Sequence, residues 1–241
     1  MQNRFVGDIG DFGKYGLLRA LCKGRRLGIV WYLVPDEHHN NDGGLIDYPN
    51  RASCDPELYA TLQRILREEN RNIGAIRKAG ILPTKTFYEI PLTFERVPIV
   101  ERGAYRRSWL KAASEYVRDC DVLFLDPDNG LQVKSKGPGS AQAQKYVFWE
   151  DFSFYQPEQS LIIYQQRWQR TAYEKLAKQQ IDQLHTIFKG RDIYALSYSP
   201  DRIFYVIPVK GDSLLSEKVR SFLNDDYWKQ YFTLVASIRG E

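Results

Sequence analysis

Cysteine is scarce in this chain, and the three that occur, Cys22, Cys54 and Cys120, lie far apart and form no C-x-x-C pair. This spacing indicates neither a disulfide framework nor a zinc site, and we expect the protein in a reducing cytoplasm. No stretch of 18 apolar residues occurs, and the first residues are polar and charged instead of forming an apolar signal segment. We therefore expect neither secretion nor a membrane partner.

A large excess of one charge sign is also lacking, because 34 Lys and Arg residues stand against 30 Asp and Glu residues, for a net charge of +4. This balance alone does not imply a polyanionic partner. Some basic residues nevertheless lie beside aromatic ones, which suits phosphate contact combined with base stacking, although a solvated helix face explains such groups equally well. Examples are Arg106 and Arg107 beside Tyr105 and Trp109, and Arg167 and Arg170 beside Trp168.

Linkers, repeats and low-complexity segments are absent from the 241 residues. The length suffices for one substantial core, and the 43% of hydrophobic residues is typical of globular proteins. We therefore expect a single α/β domain over residues 1–241.

The segment 122–125 consists of apolar residues only and is followed at once by DPDNG at 126–130. Such a run predicts a short strand buried on both faces, as in the middle of a parallel sheet. Ligands of open α/β sheets bind beyond the carboxyl ends of central strands, and here that end carries Asp126, Asp128 and Asn129. An ordinary turn uses the same residue types, but we favour a functional loop because it ends a fully apolar strand.

Other apolar and amphipathic segments alternate along the chain. Strands are predicted at 27–34, 86–91, 160–165, 193–198 and 203–209, and helices at 55–69, 72–79, 103–118 and 171–188. The segment 5–16, with four glycines, predicts a structured loop, with helical spacing only from Lys14 onward. The Gly-rich segment 134–144 predicts a lid. Amphipathic segments at 214–223 and 227–238 close the chain. The pattern favours a three-layer sandwich with a mostly parallel, Rossmann-like sheet that ends in an antiparallel hairpin.

Two short motifs add a resemblance to a known family. The segment FVGDIGDFGKY at 5–15 matches the pattern H-A-G-N-x-A-D-x-x-K-H at Gly7, Asp8, Gly10, Asp11, Lys14 and Tyr15. The residues DPDN at 126–129 fall where D-P-P-Y would. The chain thereby resembles class I S-adenosylmethionine-dependent methyltransferases, most of all the bacterial enzymes that methylate N6 of an adenine in large-subunit ribosomal RNA. The resemblance implies a methyltransferase-like sheet, with Asp126 accepting a hydrogen bond from an exocyclic amine and with Asp8, Lys14 and Asp36 around the cofactor.

Two departures from that family point to a different chemistry. Where the family has a glycine-rich cofactor loop, residues 34–44 carry carboxylates and the adjacent His38 and His39, which are too close together for the usual pair of metal ligands on a helix. Asp128 and Asn129 replace a proline and the aromatic residue that stacks on the target base. An added carboxylate serves no evident purpose in methyl transfer, and we favour a reaction without a cofactor.

The favoured hypothesis is base excision, the hydrolysis of the N-glycosidic bond of a flipped nucleotide, as in a DNA glycosylase. The oxocarbenium-like sugar needs a carboxylate to stabilise it and to orient or deprotonate water, and Asp126 or Asp128 can supply one. Lys14 would contact a phosphate or be the charge partner of an acid. The predicted substrate contacts are Asn129, Gln165 and Asn41 to base edges, Phe12, Tyr15 and Trp149 to base faces, Arg167 to phosphate, and Asp8, Asp11 and Asp36 around them.

Three alternatives remain at this point. The first is S-adenosylmethionine-dependent methylation of a nucleic acid. The second is a nuclease with Mg²⁺ held among Asp36, Glu37, Asp42, Asp126, Asp128 and Glu150. The third is a nucleic-acid binder without catalytic activity. We expect DNA in preference to RNA as the partner, and excision of unusual bases would suit defence against phages with modified DNA.

Overall fold

The computed structural model describes residues 1–37, 41–167 and 171–240, and the predictions for His38, His39, Trp168 and Arg170 lie outside these ranges. Within them the chain forms nine strands: β1 (Leu27–Val30), β2 (Thr86–Tyr88), β3 (Val122–Leu125), β4 (Gly130–Leu131), β5 (Tyr146–Val147), β6 (Ser160–Gln166), β7 (Ile193–Tyr198), β8 (Arg202–Ile207) and β9 (Phe232–Ile238). The six α-helices of the same ranges are α1 (Ile9–Cys22), α2 (Pro56–Arg67), α3 (Ile73–Ala79), α4 (Arg102–Tyr116), α5 (Tyr173–Ile187) and α6 (Ser213–Leu223).

Seven of the strands form one mixed sheet in the order β2-β1-β3-β6-β8-β7-β9. Strands β2, β1, β3 and β6 are parallel, whereas β8 pairs antiparallel with β6 and β7, and β9 pairs antiparallel with β7. The predicted α/β sandwich, with its parallel strands followed by a terminal antiparallel hairpin, is therefore confirmed. No helix in the described part of the chain is both long and apolar enough to cross a membrane.

Helices cover both faces of the sheet. One hydrophobic cluster joins α1, α2, α3 and α6 to one face, and a second cluster joins α4 and α5 to the other. Strand β3 contributes Phe124 to the first cluster and Leu123 and Leu125 to the second. This double coverage explains why every residue of β3 is buried, as its unbroken apolar sequence predicts.

The prediction of a loop over residues 5–16 is wrong, because α1 begins at Ile9. Asp8 caps the helix, its carboxylate accepting a hydrogen bond from the backbone N–H of Asp11 at 2.8 Å. The glycines are on this helix for close packing: a Cβ at Gly10, Gly13 or Gly16 would overlap Arg202, Tyr198 or Trp228, respectively. Their spacing of three residues places them along one side of the helix. Glycine lowers the helix propensity there, but its missing Cβ allows the partner side chains to approach closely.

Two further boundaries differ from the sequence predictions. Strand β1 ends at Val30, four residues earlier than predicted, because Tyr32 adopts a left-handed backbone conformation with φ of 43°. The closing segment 227–238 does not form one amphipathic unit; a short 3₁₀ turn at Trp228–Gln230 precedes strand β9, which lies at the edge of the sheet. Only Phe232 of β9 is buried, and its other residues are partly or fully exposed, as the position at the edge of the sheet allows.

Candidate active site

A small pocket lies at the carboxyl ends of the parallel strands. In the register of the sheet, Val30, Leu125 and Ile163 are neighbours, so Trp31, Asp126 and Tyr164 follow them side by side. Strand β8 runs in the opposite direction and begins at this edge, with Arg202 paired to Gln166. The cavity measures about 20 Å³, and its walls are formed by Met1, Phe5, Asp8, Gly10, Asp11, Lys14, Asp126, Pro127, Asp128, Tyr164 and Arg202. A space of this size holds about one water molecule.

Lys14 bridges two carboxylates inside the pocket. Its Nζ lies 2.7 Å from Oδ1 of Asp11 and 2.8 Å from Oδ2 of Asp126, and the three side chains are almost completely buried. The other oxygen of Asp11 accepts hydrogen bonds from the Tyr15 hydroxyl at 3.0 Å and from the backbone N–H of Gly7 at 3.3 Å. Asp11 is thus fully bonded, and its role is to fix Lys14.

Asp126 differs from Asp11 because one of its oxygens is unused. Oδ2 accepts the hydrogen bond from Lys14, whereas Oδ1 accepts none from the described residues. Burial raises the pKa of Asp126, although Lys14 opposes this effect. The carboxylate therefore offers one acceptor to a water molecule while Lys14 holds its orientation.

Asp8 and Arg202 form a second pair at the wall. Nη2 of Arg202 lies 3.6 Å from Oδ2 of Asp8, and Asp8 is 2% exposed. Burial raises the pKa of Asp8 to about 6 in spite of the guanidinium group. A carboxyl group that titrates near neutrality suits acid–base work, since both protonation states are accessible at the working pH.

Asp128 also lines the pocket, and its carboxylate lies among cations and an amide. Its carboxylate lies 3.1 Å from Nζ of Lys145 and 3.8 Å from the α-amino group of Met1, and it accepts a hydrogen bond from Gln2 at 2.8 Å. Burial alone would raise the pKa of Asp128, but the two cations outweigh that effect and lower it. Lys145 also contacts Glu37 at 2.6 Å, so this side of the pocket is closed by ion pairs.

No match was found among protein-family models, curated proteins or solved structures.

Several predicted contact residues lie inside the protein instead of facing the pocket. The ring of Phe12 is fully buried against Tyr48 and Trp228, and Tyr15 is also fully buried. Neither ring presents a face to an incoming base. Gln165 is fully buried as well, and its amide is engaged in internal hydrogen bonds. These positions are fixed by the packing of α1 and β6 against their neighbours.

Other predicted residues lie at the surface near strand ends but do not line the pocket. Asp36 accepts a hydrogen bond from the backbone N–H of Arg4 at 3.1 Å, and Asn41 is exposed. Trp149 is partly exposed and lies 6.3 Å from the ring of Phe152. Asn129 is partly exposed, and its side-chain amide makes no hydrogen bond with the described residues, which leaves it available to a ligand.

The basic groups seen in the sequence are largely used within the protein. Arg106 is buried in an ion pair with Asp151, and the indole N–H of Trp109 donates to the carbonyl of Ile90 at 2.8 Å. The Arg167 guanidinium lies 4.9 Å from the ring of Tyr173, and its Nε is buried without a partner in the described ranges. Among the arginines of these groups, Arg107 is exposed and Arg167 is partly exposed.

Sequence reasoning missed Arg202 and Tyr164, which line the pocket, and Lys145, which pairs with Asp128 in its wall. The first two carry a signal in the strand order, because a hairpin that follows parallel strands returns at their carboxyl ends and places Arg202 there. Tyr164 follows the last apolar residue of β6, next to Asp126, and burial raises its pKa to about 12. Lys145 has no such signal, because a 3₁₀ turn after a long loop positions it.

The pocket does not fit the groups that the alternatives require. A volume of about 20 Å³ is far below the roughly 300 Å³ at which ligand pockets begin, so S-adenosylmethionine does not fit it. Within the described ranges, no set of three or more His, Cys, Asp or Glu residues is arranged to hold a metal ion. The carboxylates that a Mg²⁺ ion would need as ligands are paired with ammonium and guanidinium groups instead.

Proposed function

We propose that this protein is a cofactor-independent cytoplasmic hydrolase that cleaves the N-glycosidic bond of a nucleotide in DNA. The observation that carries the proposal is the unused Oδ1 of Asp126 beside a cavity with room for one water molecule. An oriented carboxylate next to a confined water is the arrangement that hydrolysis of a glycosidic bond requires.

The proposed reaction uses the pocket for the water and its mouth for the sugar. The water donates a hydrogen bond to Oδ1 of Asp126, and its oxygen attacks C1′ of the deoxyribose as the bond from C1′ to the base nitrogen breaks. The bonding electron pair leaves with the base, and the proton of the water passes to Asp126. The negative charge of Asp126 also stabilises the positive charge that develops on the sugar. Because the water attacks from the side opposite the base, the base itself remains outside the small pocket.

Lys14 and Asn129 have separate roles in this proposal. Lys14 fixes Oδ2 of Asp126, so that the free oxygen keeps one direction. The unpaired amide of Asn129, three residues further along the same turn, can donate to and accept from a base edge. Arg167, partly exposed and directly after β6, supplies a contact to a DNA phosphate.

The volume of the pocket favours hydrolysis over methyl transfer, since it accommodates the small reactant of the first reaction and not the cofactor of the second. The position of β8 between β6 and β7 agrees with the reversed hairpin that the methyltransferase resemblance implies, and it supports a related scaffold. We therefore propose a methyltransferase-like sheet on which the cofactor chemistry has been replaced by hydrolysis. Excision of modified bases, as in phage DNA, is the biological role we propose to examine first.

Mass spectrometry of released bases tests the proposal. The purified protein is incubated with DNA that contains unmodified and modified bases, with and without S-adenosylmethionine. We expect free base and an equal amount of abasic sites, independent of S-adenosylmethionine and of chelator. Methylated bases in the DNA, together with a clear rise of the melting temperature on adding S-adenosylmethionine, would overturn the hydrolase proposal in favour of methyl transfer.

A further inference from the structure

Three buried polar side chains connect the core to the turn that carries the active-site acids. The hydroxyl of Tyr205 on β8 donates to Oε1 of Gln180 on α5 at 2.6 Å. Nε2 of Gln180 donates to Oε1 of Gln165 on β6 at 2.9 Å. All three side chains are buried, with exposed fractions of 0%, 4% and 0% for Tyr205, Gln180 and Gln165, respectively.

Gln165 ends this chain of hydrogen bonds on the backbone of the turn. Its Oε1 accepts from the N–H of Leu131 at 2.8 Å, and its Nε2 donates to the carbonyl of Asn129 at 3.1 Å. The two contacts lie on either side of Gly130, which has φ of 110° and whose missing Cβ leaves the space that the Gln165 amide fills. The side chain thus holds the turn from both sides.

The direction of each hydrogen bond in the relay is determined. The Leu131 N–H can only donate and the Asn129 carbonyl can only accept, so Gln165 has one allowed amide orientation. Its Oε1 then requires a donor from Gln180, which turns the oxygen of Gln180 toward Tyr205. That oxygen is satisfied by the hydroxyl proton of Tyr205. The hydroxyl of Tyr205 on β8 therefore completes a chain of hydrogen bonds that ends at the active-site turn. Each hydrogen bond in this chain fixes the orientation of the next side chain.

We infer that Tyr205, Gln180 and Gln165 form a positioning relay that fixes the turn at 126–131, and through it the direction of the Asp126 carboxylate. Apolar side chains could fill the same core volume without the cost of burying polar groups, and the relay ends on the turn instead of on another core element. Its effect on catalysis rests on the proposed function, whereas its effect on the turn does not.

The Tyr205→Phe variant tests the inference, with Tyr194→Phe as the matched control. Tyr194 lies on the neighbouring strand β7, and its hydroxyl donates to Asp192 at 3.0 Å, outside the relay. Amide hydrogen exchange at Leu131 reports the turn, exchange at Phe124 in β3 reports the core, and base release reports catalysis. In Tyr205→Phe we expect Leu131 to exchange about tenfold faster with Phe124 unchanged, and base release to slow about tenfold in kcat with KM retained.

The outcomes separate the relay from the proposed function. Unchanged Leu131 exchange in Tyr205→Phe, or an equal rise at Phe124, would overturn the relay, because the hydroxyl would then have no role or a merely structural one. Faster Leu131 exchange with undiminished base release would overturn its positioning role. If Leu131 exchanges faster in Tyr205→Phe while Phe124 is unchanged, and the wild-type protein releases no base at all, the relay would be supported and the proposed reaction overturned. Gln165→Glu, which keeps the shape but removes the donor to Asn129, should reproduce the change at Leu131.

Discussion

Lys14 and Asp126 lie 112 residues apart in sequence, and their charged groups are 2.8 Å apart in the interior of the protein. One comes from the first helix and the other from the end of a central strand, so the pair exists only in the folded chain. Burial alone would lower the pKa of Lys14, but the neighbouring carboxylates of Asp11 and Asp126 outweigh that effect and raise it, which keeps the ammonium group charged. This pair connects the stability of the fold to the chemistry of the pocket.

Replacing Lys14 with Met should strongly destabilise the protein. The change leaves Asp11 and Asp126 buried without a cation, and breaking a buried ion pair in this way costs about 3–5 kcal/mol. Urea unfolding at pH 7 measures the difference in the free energy of unfolding. Lys229→Met is the control, because Lys229 pairs at 2.6 Å with the exposed Asp226, and its loss should leave stability nearly unchanged. Similar effects of the two variants would contradict the role of burial.

Asp126→Asn should abolish base release and leave the fold intact. Lys14 keeps its contact with Asp11 at 2.7 Å, so no cation becomes unpaired in the variant. The neutral amide cannot accept the proton of the attacking water. The matched control is Asp121→Asn, at the opposite end of β3, where Asp121 pairs with Arg26 at the surface. Base release by Asp126→Asn at the wild-type rate would place the reaction elsewhere.

Asp8 gives the stability a pH dependence of defined sign. Its pKa of about 6 in the folded protein lies above the value of 3.8 expected in the unfolded chain, so folding takes up a proton between these values. The contribution of Asp8 is therefore most favourable at low pH and declines as pH rises from about 4 to about 6. Asp8→Asn keeps a good helix cap and has no charge to titrate. The difference in unfolding free energy between wild type and Asp8→Asn, followed from pH 4 to 7, should fall over this interval; a constant difference would contradict the raised pKa.

Gly13→Ala should destabilise the protein although alanine favours helices. The added methyl group would overlap the ring of Tyr198, and overpacking of this kind costs about 1–3 kcal/mol. Gly103→Ala in α4 is the matched control, because its Cβ would meet only the mobile end of Arg107 at 3.5 Å. Here the gain in helix propensity, up to about 1 kcal/mol, should appear as a small stabilisation. Thermal unfolding of both variants measures the contrast, and a stable Gly13→Ala would show that the helix can shift.

The sequence predicts those features that local patterns determine. Strand β3 was predicted because all four of its residues are apolar and buried, and α2 because Asp55 and Pro56 mark its start. The start of α1 was missed because glycine disfavours helices, and only the partners Tyr198 and Trp228, far along the chain, explain why glycine is needed there.

The same distinction applies to the pocket. Asp126, Asp128 and Lys14 were predicted and do meet, because the carboxyl end of a central strand is a place defined by strand order. The acids were expected to be open to a nucleotide, whereas the structure pairs them with Lys14 and Lys145. Phe12, Tyr15 and Gln165 were assigned to the substrate by residue type alone, and burial in the core is what distinguishes them. Residue type indicates what a side chain can do, but the packing of distant elements decides whether it reaches the site.

Asn129→Ala should separate substrate recognition from stability. The side chain is partly exposed and makes no hydrogen bond with the described residues, so its removal should change the free energy of unfolding by no more than about 0.5 kcal/mol. If its amide contacts the base edge, kcat/KM for base release should fall by roughly 10- to 100-fold, the effect of one or two lost hydrogen bonds. Asn41→Ala is the matched control, since Asn41 is exposed but lies in the loop after β1 and not in the turn that carries Asp126, and it should leave both quantities unchanged. Steady-state kinetics and urea unfolding on the same preparations decide the matter. A fall in kcat/KM for Asn41→Ala and none for Asn129→Ala would move base recognition from the strand-end turn to the loop after β1.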